Sequence, residues 1–142
     1  MNISAKTEYA CIAVLELANH FGSGEPIRIR RIAESHGIPS RFLVQILLQL
    51  KGAGLVSSTR GASGGYQLVR DPQSLTLADV MAVVEGHPSE VTSSATIQTA
   101  VSRVLIETWR EVAAVQQEML AGITFAELVQ RVRGSTEQMY YI

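Results

Sequence analysis

Apolar residues recur at helical spacing through most of this chain, and the pattern is interrupted once, near the middle, by two short alternating runs. Ser4 is placed to cap a first helix reaching about His20, with Tyr9, Ile12, Ala13, Leu15 and Leu17 supplying much of its apolar content. F-G-S-G-E-P then reads as a turn, followed by a short helix at about Ile29 to His36. The stretch I-A-E-S-H-G-I-P-S-R-F-L-V-Q-I-L has the layout of two short helices crossing at a steep angle. Ala33 is small where the crossing is close, Gly37 falls at the turn that calls for a positive φ, and Ile38, Leu43 and Ile46 point back into the core. Pro39 and Ser40 open the next helix, since proline is tolerated in a first turn and a serine hydroxyl can cap unpaired N–H groups. That helix, about Ser40 to Lys51, carries Leu43, Ile46, Leu47 and Leu50 on one face and shows Arg41, Val44, Gln45 and Gln49 on the other.

Leu55 to Thr59 and Tyr66 to Val69 predict two strands, joined by R-G-A-S-G-G. Gly61, Gly64 and Gly65 would let this loop approach a phosphate closely, while Arg60 is long enough to enter a minor groove. Helix, turn, helix and hairpin in this order describe a winged helix-turn-helix DNA-binding domain, expected to span residues 1–86. Within it, Thr76 and Asp79 form a capping box for a helix from Leu77 to Glu85 that stops at Gly86.

Residues 87–96, H-P-S-E-V-T-S-S-A-T, are polar and read as a loop. From about Ile97 to Leu120 comes the longest helical pattern, with Val101, Leu105, Thr108, Val112, Val115 and Met119 at spacings of 4, 3, 4, 3 and 4. That is a 3.5-residue period with one polar member, widened by Val104 and Trp109, and it predicts a dimer seam on a helix projecting from a small domain. Thr124 and Glu127 form a second capping box for a last helix through about Val132, with G-S-T-E-Q-M-Y-Y-I expected to be frayed or loosely packed. Residues 97–142 are therefore expected to hold the dimerisation helix and a C-terminal helix. The fold class expected is mainly α with a small β-hairpin wing: a winged helix-turn-helix plus a long dimerisation helix.

Charge sharpens this division. The chain of 142 residues has a net charge of −1, which is unpromising for a nucleic-acid binder until it is split. Residues 1–70 hold eight Lys and Arg against four acids, a balance of +4, whereas residues 71–142 hold four against nine, a balance of −5. A basic half carrying the winged motif and an acidic half without it suit a DNA reader with a separate assembly element. No apolar run approaches the ~18 residues that a membrane span needs. The first residues lack the apolar core of a signal peptide, and the single cysteine, Cys11, rules out an internal disulfide framework. A cytoplasmic location is expected.

The segments I-S-A-K-T-E-Y-A, I-A-E-S-H-G-I-P-S-R-F-L-V-Q-I-L-L-Q-L-K-G-A-G-L-V-S-S-T-R-G-A-S-G-G-Y-Q-L, L-T-L-A-D-V-M-A-V-V-E-G and I-T-F-A-E-L-V together resemble the Rrf-two family of bacterial transcription regulators, over nearly the whole chain. The resemblance implies a homodimer, joined through a long helix, that binds double-stranded DNA at a partly palindromic operator. It places Ser40, Arg41, Phe42, Val44 and Gln45 on the recognition helix and Arg60 with Gly61, Gly64 and Gly65 on a minor-groove wing. It also sets Lys6 and Tyr9 near the phosphate backbone. The chemistry of the residues agrees, since Arg can pair with guanine O6/N7, Gln with adenine N6/N7 and Lys with phosphate. Val44 is a departure, because several members carry Glu there.

The larger departure concerns sensing. Members that bind an iron-sulfur cluster place three cysteines in the loop before the long helix, and residues 87–96 contain none. A cluster needs four ligands, usually thiolates, and the chain offers only Cys11 and His20 on the first helix, His36 inside the helix-turn-helix and His87 in the loop. No cofactor is expected, Cys11 reads as a small buried hydrophobe, and His87 with Glu90 makes too few ligands for a metal site. Enzyme function has no support, because no nucleophile–base set, phosphate-binding loop or metal cluster stands at a recognisable spacing. The readings that remain are a DNA-binding regulator, expected to be a repressor, and a protein-interaction module in which the same fold regulates a partner enzyme. A regulatory protein or a small-molecule effector stays open as a further partner.

Overall fold

Helix α1 (Ala5–Asn19) is the element on which much of the fold packs. The computed structural model describes the backbone of residues 1–140 and the side chains of residues 1–136. Ser4 caps α1 as expected, accepting the Thr7 N–H at 3.1 Å. Its buried face is Thr7, Ala10, Ala13, Val14, Leu17 and Ala18, so Tyr9, Ile12 and Leu15, which dominate the sequence pattern, are only half-buried at its edge. Around it come α2 (Ile29–His36), α3 (Ser40–Gly52), β1 (Val56–Thr59), β2 (Gly65–Leu68), a single 3₁₀ turn (Pro72–Ser74), α4 (Leu77–Glu85), α5 (Ala100–Gly122) and α6 (Phe125–Tyr140). The fold is mostly helical with one antiparallel hairpin. Among the described residues no helix is long and apolar enough to cross a membrane.

The helix-turn-helix forms as its residues dictate. Gly37 ends α2 at φ 64°, Ala33 is buried at the crossing, and Ile38, Leu43, Ile46, Leu47 and Leu50 join the core. Ser40 corrects one expectation: Pro39 is the N-cap of α3, Ser40 is already inside the helix, and no side chain caps that end.

The strands begin and end about a residue away from the expected positions, pairing Val56 with Leu68 through Thr59 with Gly65. A third segment completes the sheet. Ile27 donates to the Tyr66 carbonyl at 2.8 Å and accepts the Tyr66 N–H at 2.7 Å, so the chain two residues before α2 is bonded to the wing. This pairing gives one loop glycine an internal purpose, and the hairpin itself gives another. A Cβ on Gly65 would stand 2.6 Å from the Ile27 carbonyl carbon, and Gly64 is buried where a Cβ would collide with the Thr59 carbonyl.

Three boundaries in the second half differ from the pattern. The loop runs on to Thr99, because Thr99 and Ser102 cap α5 reciprocally, at 3.1 Å and 2.9 Å, and Ile97 stays outside the helix, exposed. Only half of the second capping box forms: Glu127 N–H donates to Thr124 Oγ1 at 3.2 Å, while the Glu127 carboxylate pairs with Arg131. Helix α6 also continues through Gly134 to Tyr140, so most of the tail expected to be frayed is helical; Tyr141 and Ile142 lie outside the described residues.

The chain returns to its first half through α6. Phe125 N–H donates to the Leu75 carbonyl at 2.9 Å, the Phe125 ring is fully buried, and Val129 is buried beside it. Arg133 reaches the end of α1, its Nε donating to Asn19 Oδ1 at 3.1 Å. At the other end of α1, Glu85 accepts the Ser4 hydroxyl at 2.7 Å and that of buried Thr7. These two donors, Thr7 first, hold the Glu85 carboxyl below the usual carboxylate range.

Two outcomes follow for bench tests. Gly65→Ala must displace backbone at Ile27, so its urea midpoint should report a loss of about 1–3 kcal/mol, whereas Gly61→Ala meets open space and should lose about 1 kcal/mol for its positive φ alone. Equal losses would remove the close approach as the reason for Gly65. For Cys11, burial, with the Glu85 charge adding, pushes the thiol up to about 11. Iodoacetamide at neutral pH should therefore alkylate it on the order of a hundredfold more slowly than free cysteine, the rate climbing as pH nears 11. Cys11 is half-buried at the edge of the core rather than fully buried as expected, and a rate like that of free cysteine would refute its shielding.

Candidate nucleic-acid interface

One face of α3 is core, and the opposite face looks into solvent. Arg41, Val44, Gln45, Leu48 and Gln49 are exposed, while Leu43, Ile46, Leu47 and Leu50 are buried. Spacings of 3, 4 and 7 from Arg41 put Val44, Gln45 and Leu48 in one stripe, as an element entering a groove requires. The Arg41 guanidinium lies 5.0 Å from the centre of the Phe42 ring. A guanidinium at that distance is attracted to the ring face. Phe42 is itself exposed at the first turn of α3. Leu48, which the sequence pattern passed over, is half-exposed on this stripe and is suited to a thymine methyl.

The far end of α3 is tied to the wing, since Lys51 Nζ donates to Ser58 Oγ at 2.6 Å. Arg60 and Gly61 are exposed at the hairpin turn, which is closed by a 3.0 Å bond from Gly64 N–H to the Gly61 carbonyl. Of the three wing glycines, Gly61 alone is open to a close approach by phosphate; burial removes Gly64 from that role, and Gly65 is half-buried against Ile27.

Helix α2 adds cations that the sequence reading counted only as charge. Arg28 and Arg31 are exposed at its N-terminus, and Arg30 is held by Glu34 at 2.9 Å. Unpaired N–H groups and arginines at one helix start suit a phosphate. On α1, Lys6 is exposed but lies close enough to Glu85 to help keep that carboxyl low, and Tyr9 is half-buried against the core.

Helix α5 lies apart from this surface. None of its residues is buried, and Val101, Val104, Leu105, Trp109, Val112, Val115 and Met119 are all exposed, an apolar stripe left uncovered by the chain. Thr108, the polar member of the repeat, returns its hydroxyl to the Val104 carbonyl at 2.8 Å and so presents its methyl side.

Residues 3–131 match the Rrf2 family, described as an iron-dependent transcriptional regulator. The HTH-type transcriptional regulator CymR of Bacillus subtilis is 34% identical over 143 residues, covering 100% of both chains. The solved structure of CymR (YrzC), the global cysteine regulator of B. subtilis, superposes with a TM-score of 0.80 at 30% identity, over 92% of this chain and 98% of that one. IscR of T. potens gives a TM-score of 0.76 at 32% identity, over 93% and 88%. The residues present do not fit a cysteine-ligated iron centre. The loop between α4 and α5 has no cysteine, the Cys11 environment disfavours a thiolate, and no group of three His, Cys, Asp or Glu stands together among the described residues. Iron therefore enters no step described for this chain. What it shares with those relatives is the helix-turn-helix, the wing and the long helix in one order and one arrangement, and by that likeness, from Ile3 through Arg131, it belongs to the Rrf2 family of DNA-binding transcriptional regulators.

Proposed function

We propose that this chain is a sequence-specific repressor that works in the cytoplasm as a homodimer on a partly palindromic operator, without a cysteine-ligated iron-sulfur cluster. The observation that carries this reading is the outward stripe of α3, which is free of any packing role and stands beside a wing with Arg60 at its tip. In this reading α3 enters the major groove. Arg41 and Gln45 meet base edges, Val44 and Leu48 meet thymine methyl groups, and Phe42 and Ser40 flank the entry. Arg60 takes the adjacent minor groove with Gly61 against a phosphate, while Arg28, Arg31, Lys6 and Tyr9 track the backbone. Val44 in place of an acidic residue removes an acceptor for cytosine, so the base preference is this chain's own.

Pairing through α5 supplies the symmetry. A 23-residue helix with no buried residue and an apolar 3.5-residue stripe is half of a helix pair. Val101, Leu105, Thr108, Val112, Val115 and Met119 form the seam. Two copies related by a twofold axis then read two half-sites. An occupied promoter excludes polymerase with no further contact, which makes repression the simplest output.

Arg60→Ala should weaken operator binding by roughly 1–3 kcal/mol in fluorescence anisotropy with the dimer intact. Full affinity in that variant would take the wing out of DNA recognition. Gln45→Ala should lose more discrimination between operator variants than non-specific affinity; a uniform loss on all sequences would make Gln45 a backbone contact. The single tryptophan, Trp109, is exposed on α5, so its emission should shift to the red as the protein is diluted through dissociation. Leu105→Glu with Val112→Glu should give a folded monomer, or aggregates, unable to bind operator, because the seam cannot bury unpaired carboxylates. A wild-type monomer in sedimentation at micromolar concentration would overturn the seam.

A further inference from the structure

Arg103, Glu107 and Arg110 follow one another on α5 at i, i+4 and i+7, a spacing that keeps them on one helical face. At 3.6 residues per turn that face lies roughly opposite Leu105 and Val112, so covering the apolar stripe leaves it open. The loop after α4 folds against it. Arg110 Nε donates to the Val91 carbonyl at 3.0 Å, which fixes the loop and leaves the Nη donors of Arg110 available. Between loop and helix is a cleft of about 360 Å³, to which Thr92, Ser93 and Gln98 contribute polar groups and half-buried Ile106 a patch of apolar floor.

The electrostatics of this cleft are unlike those of the half that contains it. Residues 71–142 carry four arginines among nine acids. Arg131 is paired with Glu127 and Arg133 is spent on the end of α1. Arg103 and Arg110 make no salt bridge among the described residues, although Glu107 lies between them in sequence. Two guanidinium groups with one carboxylate between them invite an anion, but Glu107 repels a compact dianion such as phosphate. A ligand with a carboxylate beside an ammonium satisfies all three groups.

We propose that the cleft binds a free α-amino acid. Its carboxylate is held by Arg103 and Arg110, its ammonium by Glu107, and the polar atoms of its side chain by Thr92, Ser93 and Gln98. The volume is on the scale of small-molecule sites, roughly 300–1,000 Å³. Arginine supplies forked donors to a carboxylate, and hydrogen bonds between charged partners are the stronger kind. The ligand would bridge the loop and the first half of α5, and its binding is independent of DNA contact.

The test is titration of the purified full-length protein with each of the twenty standard amino acids, followed by calorimetry and amide NMR. The deaminated acid and the α-amide of any that binds are then tested, along with inorganic phosphate. At least one amino acid should saturate, with shifts concentrated in residues 87–110. Its acid and its amide should bind on the order of tenfold more weakly or worse, since each lacks one charged partner. Arg103→Ala and Arg110→Lys should each weaken the amino acid by a similar factor. Glu107→Gln should weaken the amino acid yet strengthen its deaminated acid, a reversal that a merely structural Glu107 would not give. All three side chains are exposed, so the variants should melt with the wild type. No binding by any amino acid, shifts confined elsewhere, or phosphate and plain acids binding as tightly as the amino acid would overturn the proposal. None of these outcomes bears on operator binding, which is measured separately.

Discussion

Helix α1 offers Ala10, Ala13 and Ala18 to its neighbours, and the closeness that these single methyl groups allow sets where the other elements of the body come to rest. Helices α3, α4 and α6 and strand β2 all contact it. A branched side chain at Ala10 or Ala13, both wholly buried, would push one of those neighbours outward by the width of a methyl group or more. One such element is α3, whose other side carries the exposed stripe of Arg41, Val44, Gln45 and Leu48. Placement of that exposed stripe is thus decided on the far side of α3.

The two halves of the chain, so different in charge, share this core. Phe125 and Val129 of α6 are buried with residues of α1, and Glu85 at the end of α4 is bonded to Ser4 and Thr7 at the start of α1. Truncating a buried phenylalanine costs about 3–5 kcal/mol, so the body of the domain depends on a residue that lies beyond α5 in sequence. Helix α5 lies between these shared parts in sequence and contacts α4, yet it contributes no buried residue to the core.

Much of this was legible in the residues. Gly37, Ala33 and the leucines of α3 have one good explanation each, and the explanations agree on a helix-turn-helix. Less legible was the packed face of α1, because alanine adds little to a hydrophobic pattern although it is what close packing needs; Tyr9, Ile12 and Leu15 drew the eye and lie at the edge. Ile97 misled in the same manner at α5, where a reciprocal bond between Thr99 and Ser102 decides the start, and serine at that position is a weaker signal than glutamate. Gly134 did not end α6, since a glycine inside a helix costs only about 1 kcal/mol. In the candidate interface, the exposure of Arg41, Val44 and Gln45 agreed with the pattern. The burial of Gly64 could not have been read, because it depends on how closely the loop folds back on the Thr59 carbonyl in space.

The pairing of Ile27 with Tyr66 bears on how a duplex would be held. It joins the wing to the residue that leads into α2, and Lys51 with Ser58 joins the wing to the end of α3. Helix α3 and Arg60, proposed for the major and minor grooves, are then fixed to one frame, with little freedom to change their separation. A mismatch between that separation and the groove spacing of a given site has to be taken up by the duplex as twist or bend. The energy of that deformation depends on base steps lying between the contacts, so a binding site would be selected partly by the stiffness of base pairs that no side chain touches.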